Sequence, residues 1–226
     1  NIEIVRDQYG VPHIYGKTDA EVAYGLAWAH SEDDFKTIQE GYLAGNGLLS
    51  KYIGINGAGA DLITQVIESE ETVNELFYTL SPEFVKLLEG YCAGINKYAE
   101  TYPDKVLVKI LFPITPKKMA RYSFLQLFIA NGADRLIGSV FQDNISSDFI
   151  YENEMNGSNA IALNSNKTGL KETFLAINPH QPFNGPTSWY EAHLISEEGT
   201  NIIGATFAGA PCICLLYTSP SPRDRG

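Results

Sequence analysis

The chain predicts an α+β fold, a helical N-terminal region followed by strands. Apolar residues recur at helical spacing in several stretches before residue 157. Stretches rich in β-branched and alternating residues, separated by turn formers, fill 159–207. A run of helices followed by a run of strands favours layered α+β architecture over alternating βαβ units. The 226 residues are enough to bury a sizeable core, and 44% hydrophobic with 19% charged residues is ordinary globular composition. No internal repeat is visible.

Ile2, Ile4, Val11 and Ile14 alternate around Gln8-Tyr9-Gly10, which suits two short strands joined by a turn. Asp19 is expected to cap a helix carrying Val22, Leu26, Ala29, Phe35, Ile38 and Tyr42, ended by Gly45 and Gly47. The glycine-rich stretch 54–59 lacks the Lys-Ser/Thr end of a P-loop, so phosphate binding is not expected. A helix is expected over 64–79. Ser81-Pro82-Glu83 is a helix start, with a cap, a first-turn proline and an acid facing the dipole. Behind it Phe84, Leu87, Leu88, Tyr91, Ile95 and Tyr98 share one face and are expected in the core. Thr115-Pro116 opens another helix to about Ala130 on the same logic. Residues 131–156 are weakly patterned and read as an exposed segment. Strands are expected at Asn159–Leu163, Thr173–Ile177, Ser188–Ile195 and Asn201–Phe207, with Asn166-Lys167-Thr168-Gly169, Asn184-Gly185-Pro186 and Glu198-Gly199 as turns.

The formal charge of −11 argues against a nucleic-acid partner, because such binding rests on clustered Lys and Arg. No apolar run is long enough for a membrane-spanning helix. The three cysteines, at 92, 212 and 214, do not support a disulfide framework. From Cys214 the sequence reads CLLYTSPSPRDRG, a Pro-, Ser- and Arg-rich string that resembles translated sequencing adaptor. Residues 214–226 are therefore expected to be a non-native tail outside the fold, on a natural protein that ran further.

Chemistry must come from few residues. The histidines are His13, His30, His180 and His193. His30 and Asp34 lie four apart on a helix, but H-E-x-x-H is absent and no third ligand is evident. A solvated helix face with one partly buried histidine is the expectation there, and no metal ligand is assigned. No serine has the G-x-S-x-G elbow, and nothing specific points to a carboxylate pair.

Gly157-Ser158 differs by position, since it opens the first strand of the β half. Cleavage between the two would leave Ser158 with a nucleophilic hydroxyl and a free α-amine. An α-amine titrates near pH ~8, so part of it is neutral at pH 7 and can take the hydroxyl proton. Gly157 tolerates the strained backbone that self-attack requires. Without further context, Gly-Ser before a strand is a turn.

Five blocks in register give that context. Val5-Arg6-Asp7-Gln8-Tyr9-Gly10-Val11-Pro12-His13-Ile14 resembles the opening of the penicillin acylase family of N-terminal nucleophile hydrolases. Tyr24-Gly25-Leu26-Ala27-Trp28-Ala29-His30-Ser31-Glu32-Asp33 resembles that family's first long helix, with Asp34 where an Arg is often found. Gly157-Ser158-Asn159-Ala160 resembles the processing site. Asn178-Pro179-His180 with Trp189-Tyr190-Glu191-Ala192-His193-Leu194 resembles the next block, and 204–211 the one after it. The Asn-Pro-His form is similar to the lactone and lipopeptide acylases.

The resemblance implies the start of an αββα sandwich, incomplete here. Residues 1–157 would form an α-chain-like helical region and 158–213 the start of a β-chain-like catalytic sheet, two chains of one processed precursor. It implies Ser158 as nucleophile on amides after self-cleavage at Gly157-Ser158, and His180 as the group that hydrogen-bonds its hydroxyl or amine. Gln181 would border the acyl pocket. It further implies N-acyl small-molecule substrates, a calcium ion in some members with no ligands assignable here, and a periplasmic or secreted location; no cofactor is expected otherwise. The family's oxyanion-hole donors would lie beyond Ile213, so the 226-residue chain is expected to be inactive alone. Trp189 and Tyr190 are expected to pack in the core. The competing reading is a non-catalytic α+β binding or scaffold domain in which Gly157-Ser158 is a turn.

Overall fold

The computed structural model describes residues 2–130, 159–169 and 172–218. The N-terminal hairpin forms as the alternation requires, β1 at Glu3–Arg6 and β2 at Pro12–Gly16, antiparallel. Asp7 holds its turn, its carboxylate accepting from the amides of Tyr9 at 2.8 Å and Val11 at 3.0 Å. Those two amides pull the Asp7 carboxyl below its ordinary range, against the opposing effect of desolvation.

Helix α1 runs Asp19–Gly45. Its cap is Thr18, one residue before the expected Asp19: the Thr18 hydroxyl accepts from the Glu21 amide at 3.1 Å. Asp19 instead stands in the first turn and accepts the Ser196 hydroxyl at 2.6 Å, tying the helix to the sheet. Helical geometry breaks at Asp34 (φ −150°, ψ 62°), where its carboxylate accepts from the Thr37 amide at 3.1 Å and starts a second segment.

The expected helix over 64–79 is two. After the single turn α2 (Ser50–Ile53) and a 3₁₀ turn at Gly54–Gly57, α3 spans Ala58–Val66 and α4 spans Ser69–Leu76. Glu68 separates α3 from α4 in a left-handed conformation (φ 49°), a local reversal that helical periodicity does not encode. Helix α5 is Pro82–Thr101, with the Ser81 hydroxyl accepting from Phe84 N at 3.2 Å, and α6 is Pro116–Ala130.

The core forms around α1. Leu26, Ile38 and Tyr42 meet Tyr91, Ile95 and Tyr98 of α5, Met119 and Tyr122 of α6, and Ile14, Ala192 and Leu194 of the sheet. Burying each large aliphatic side chain stabilises by about 1.5–3 kcal/mol. Close approach of α1 and α5 depends on glycine. A Cβ on Gly94 would overlap the Tyr24 carbonyl oxygen, and one on Gly90 that of Ala20. Phe84 departs from the expected core stripe and is 42% exposed. It lines an apolar cavity of about 550 Å³ with Val73, Leu76, Phe124, Phe207 and Pro211.

Among the described residues, the strands after residue 157 fall in two sheets. Strands β5 (Trp189–Ser196) and β6 (Asn201–Phe207) pair antiparallel, and β5 also pairs in parallel with β2, His13 opposite His193. The larger sheet is ordered β1-β2-β5-β6-β7. The N-terminal hairpin thus belongs to the sheet of the second half, a pairing across sequence that local pattern cannot announce. Leu215–Thr218 form β7 against β6, so the sheet continues past residue 213 into the stretch set outside the fold. Strands β3 (Asn159–Leu163) and β4 (Phe174–Asn178) make a separate antiparallel hairpin. The expected turn at 166–169 is a single helical turn, α7 (Ser165–Thr168), closed by Gly169 at φ 68°.

Candidate functional site

The β3–β4 hairpin carries the candidate site residues that lie among the described ones. Asn159 opens β3 and is the register partner of Asn178, which closes β4. His180 follows two residues on. Its Nε2 lies 3.2 Å from the amide nitrogen of Asn159 and 3.2 Å from that of Asn178. The hairpin therefore carries His180 to the residue directly after Ser158. Gly157 and Ser158 themselves lie outside the described residues. Gln181 is half-buried beside His180, and Phe183 is 99% exposed at the tip of the same segment. Both asparagines stand in the blocks that carry the family resemblance, but local sequence assigns neither of them a contact with His180. The available signal was their position at paired strand ends, but pairing register is a three-dimensional fact.

A second polar cluster joins the three parts of the fold. The Arg6 guanidinium reaches Asp33 Oδ2 at 2.9 Å and Glu32 Oε2 at 3.3 Å, and donates to the Gly10 carbonyl at 2.9 Å. Tyr190 donates to Asp33 Oδ2 at 2.6 Å, and Trp28 Nε1 donates to Glu32 Oε1 at 2.9 Å. Burial, with the Asp33 carboxylate beside it, drives the Tyr190 hydroxyl far above its usual range. His30 is not the partly buried residue of a solvated face that its spacing suggests. It is 3% exposed, stacked on Tyr190, and burial lowers its pKa to about 4 despite the pull of Asp34 and Asp33. Asp34 is engaged in capping Thr37. Trp189 and Tyr190 pack as strand residues, Trp189 stacking on Phe207 across the β5–β6 pair.

A third pair spans the parallel junction of β2 and β5. His13 Nδ1 and His193 Nδ1 are 2.9 Å apart, so one donates and the other accepts, and His193 Nε2 meets Asn201 Oδ1 at 2.8 Å. Asp7 Oδ2 is 3.8 Å from His13 Nε2. Among the described residues no three His, Cys, Asp or Glu side chains gather in a way that could hold a metal ion, so no calcium ligands are assigned. All three cysteines are free. Burial pushes the Cys92 thiol up to about 12. Among the described residues no helix is long and apolar enough to cross a membrane.

The sequence model of the penicillin amidase family matches residues 1–217. Among curated proteins, the acyl-homoserine lactone acylase PvdQ of Pseudomonas syringae pv. syringae (strain B728a) is 24% identical over 244 residues, covering 93% of this chain and 31% of that protein. Penicillin G acylase of Escherichia coli is 26% identical over 151 residues, covering 64% of this chain and 18% of that protein. Among solved structures, a thermostable penicillin G acylase from Alcaligenes faecalis superposes with a TM-score of 0.51 at 18% identity, covering 67% of this chain and 79% of that one. The chain spans about a third of the length of the PvdQ relatives it matches (31%). The helix-and-sheet architecture is thus of the α+β class that the penicillin G acylase structure shows, shared with it in part. Within that class, the chain belongs to the penicillin amidase family.

Proposed function

We propose that the protein of which this chain is part is an acylase that hydrolyses the amide bond of N-acylated small molecules. Its substrates would be acyl-homoserine lactones, acylated lipopeptides or β-lactams, and relatives named for the first and third support this. The observation that carries this reading is the hairpin end, where His180 meets Asn159, the residue next to Ser158. It is supported by the family match across 1–217.

In this proposal the Ser158 hydroxyl first attacks the Gly157 carbonyl, the Gly157–Ser158 amide breaks to leave an ester on Oγ and a free α-amine, and water hydrolyses that ester to divide the chain and restore the hydroxyl. The freed α-amine is then the base. It takes the hydroxyl proton as Ser158 Oγ attacks the substrate carbonyl, and it returns that proton to the departing amine. Collapse of the tetrahedral adduct leaves an acyl ester on Ser158. Water, deprotonated by the same amine, releases the acid. His180 holds the serine by a hydrogen bond, and Gln181 borders the acyl group. The α and β pieces stay together as one enzyme, in a periplasmic or secreted location.

The test is processing and turnover in the longest natural polypeptide containing this chain. Division before Ser158, with acid release from an N-acyl-homoserine lactone or an N-acyl β-lactam, is expected. Ser158→Ala should abolish both. An uncut, folded parent without turnover would favour a binding or scaffold domain.

A further inference from the structure

The environment of His180 fixes more than its position. A neutral imidazole has one nitrogen that donates and one that accepts. Both neighbours of Nε2 are side-chain amide nitrogens, Asn159 Nδ2 and Asn178 Nδ2, each at 3.2 Å. Two N–H donors converging on one ring nitrogen require a lone pair there. The proton then resides on Nδ1. The opposite tautomer would need one asparagine to turn its oxygen to Nε2–H and the other to withdraw its donor. The asparagines are themselves set by the fold: they are cross-strand partners at the open end of the β3–β4 pair, so their side chains share one face of the hairpin.

We infer that Asn159 and Asn178 are positioning residues that hold His180 in the Nδ1–H tautomer. The inference rests on the proposed role of Ser158, and it sharpens the division of labour there. With Nε2 occupied by two donors, the other ring nitrogen carries a proton and can only donate. His180 then supports an oxygen atom, the serine Oγ or the charge that develops on the substrate, and it does not accept the hydroxyl proton. That proton goes to the α-amine alone. No other base is required and the proton count closes.

The test is nitrogen-15 NMR of the His180 ring in the 226-residue chain carrying Ser158→Ala, so that the chain stays whole whichever way processing goes. Long-range proton–nitrogen correlations distinguish the two tautomers directly. Cross-strand contacts between Asn159 and Asn178 in the same sample report that the hairpin is formed. The Nδ1–H form is expected in about tenfold excess or more, the scale of two neutral hydrogen bonds. In Asn178→Asp a carboxylate, which can only accept, replaces one of the two donors while Asn159 remains, and the Nδ1–H excess is expected to fall several-fold. An Nε2–H ring in the Ser158→Ala chain, a ring averaging between both forms, a hairpin that does not pair, or an Asn178→Asp ring with an unchanged Nδ1–H excess would each overturn the inference. Failure of the acylase reading would show separately, as an uncut parent, and would leave the tautomer result standing.

Discussion

Tyr190 lies flat on His30, ring centroids 3.8 Å apart and planes within 6°, while its hydroxyl donates to Asp33 three residues further along the same helix. One strand residue thereby covers a buried imidazole and extends the Arg6–Asp33 pair that anchors the N-terminal hairpin.

Burial of His30 makes stability depend on pH. Its folded pKa is lowered to about 4, chiefly by desolvation, below the ordinary histidine value. The unfolded chain therefore binds more protons between the two values, and stability must fall as pH drops through that window. The contribution lost between neutral pH and pH ~4.5 is about 2–3 kcal/mol. His30→Phe keeps a ring against Tyr190 and removes the titration. Urea unfolding at several pH values should show the variant losing less stability than wild type on acidification. Parallel profiles would contradict the account.

The α1–α5 contact has no room for a methyl group at Gly94, because the neighbouring atoms are the Tyr24 carbonyl and the Ala27 side chain on the facing helix. Gly94→Ala ordinarily favours a helix, by about 1 kcal/mol in isolation. Here overpacking should dominate, with a net loss of about 1–3 kcal/mol. A thermal melt decides the sign, and a raised midpoint would mean the helices separate at little cost.

Tyr42 is fully buried and its hydroxyl donates to the Gly209 carbonyl at 2.8 Å, linking α1 to the segment after β6. Tyr42→Phe keeps the ring packing and strands that carbonyl, a cost of about 1–3 kcal/mol. Denaturant titration should show a lower midpoint with an unchanged slope.

What the sequence revealed follows from the range of the interactions. The Ser81 cap, the first-turn prolines of α5 and α6, and the strands Asn159–Leu163 and Asn201–Phe207 depend on neighbours in the chain, and they stand where the pattern placed them. The break at Glu68 and the kink at Asp34 turn on single-residue backbone conformations that periodicity averages away. The parallel pairing of His13 with His193 joins residues 180 apart, beyond any local signal. The site divides in the same way. The Asn-Pro-His block singles out His180 by sequence alone, whereas its contacts with Asn159 and Asn178 depend on the strand register. Phe84 follows the helical stripe of α5 but falls on the cavity, because the stripe extends one turn past the packed neighbours.

The most direct test of the acylase reading is the intact mass of the longest natural polypeptide containing this chain, beside its Ser158→Ala variant. The account predicts two fragments, one beginning at Ser158, and a single uncut chain in the variant. A folded wild type that remains a single chain of full mass would contradict it.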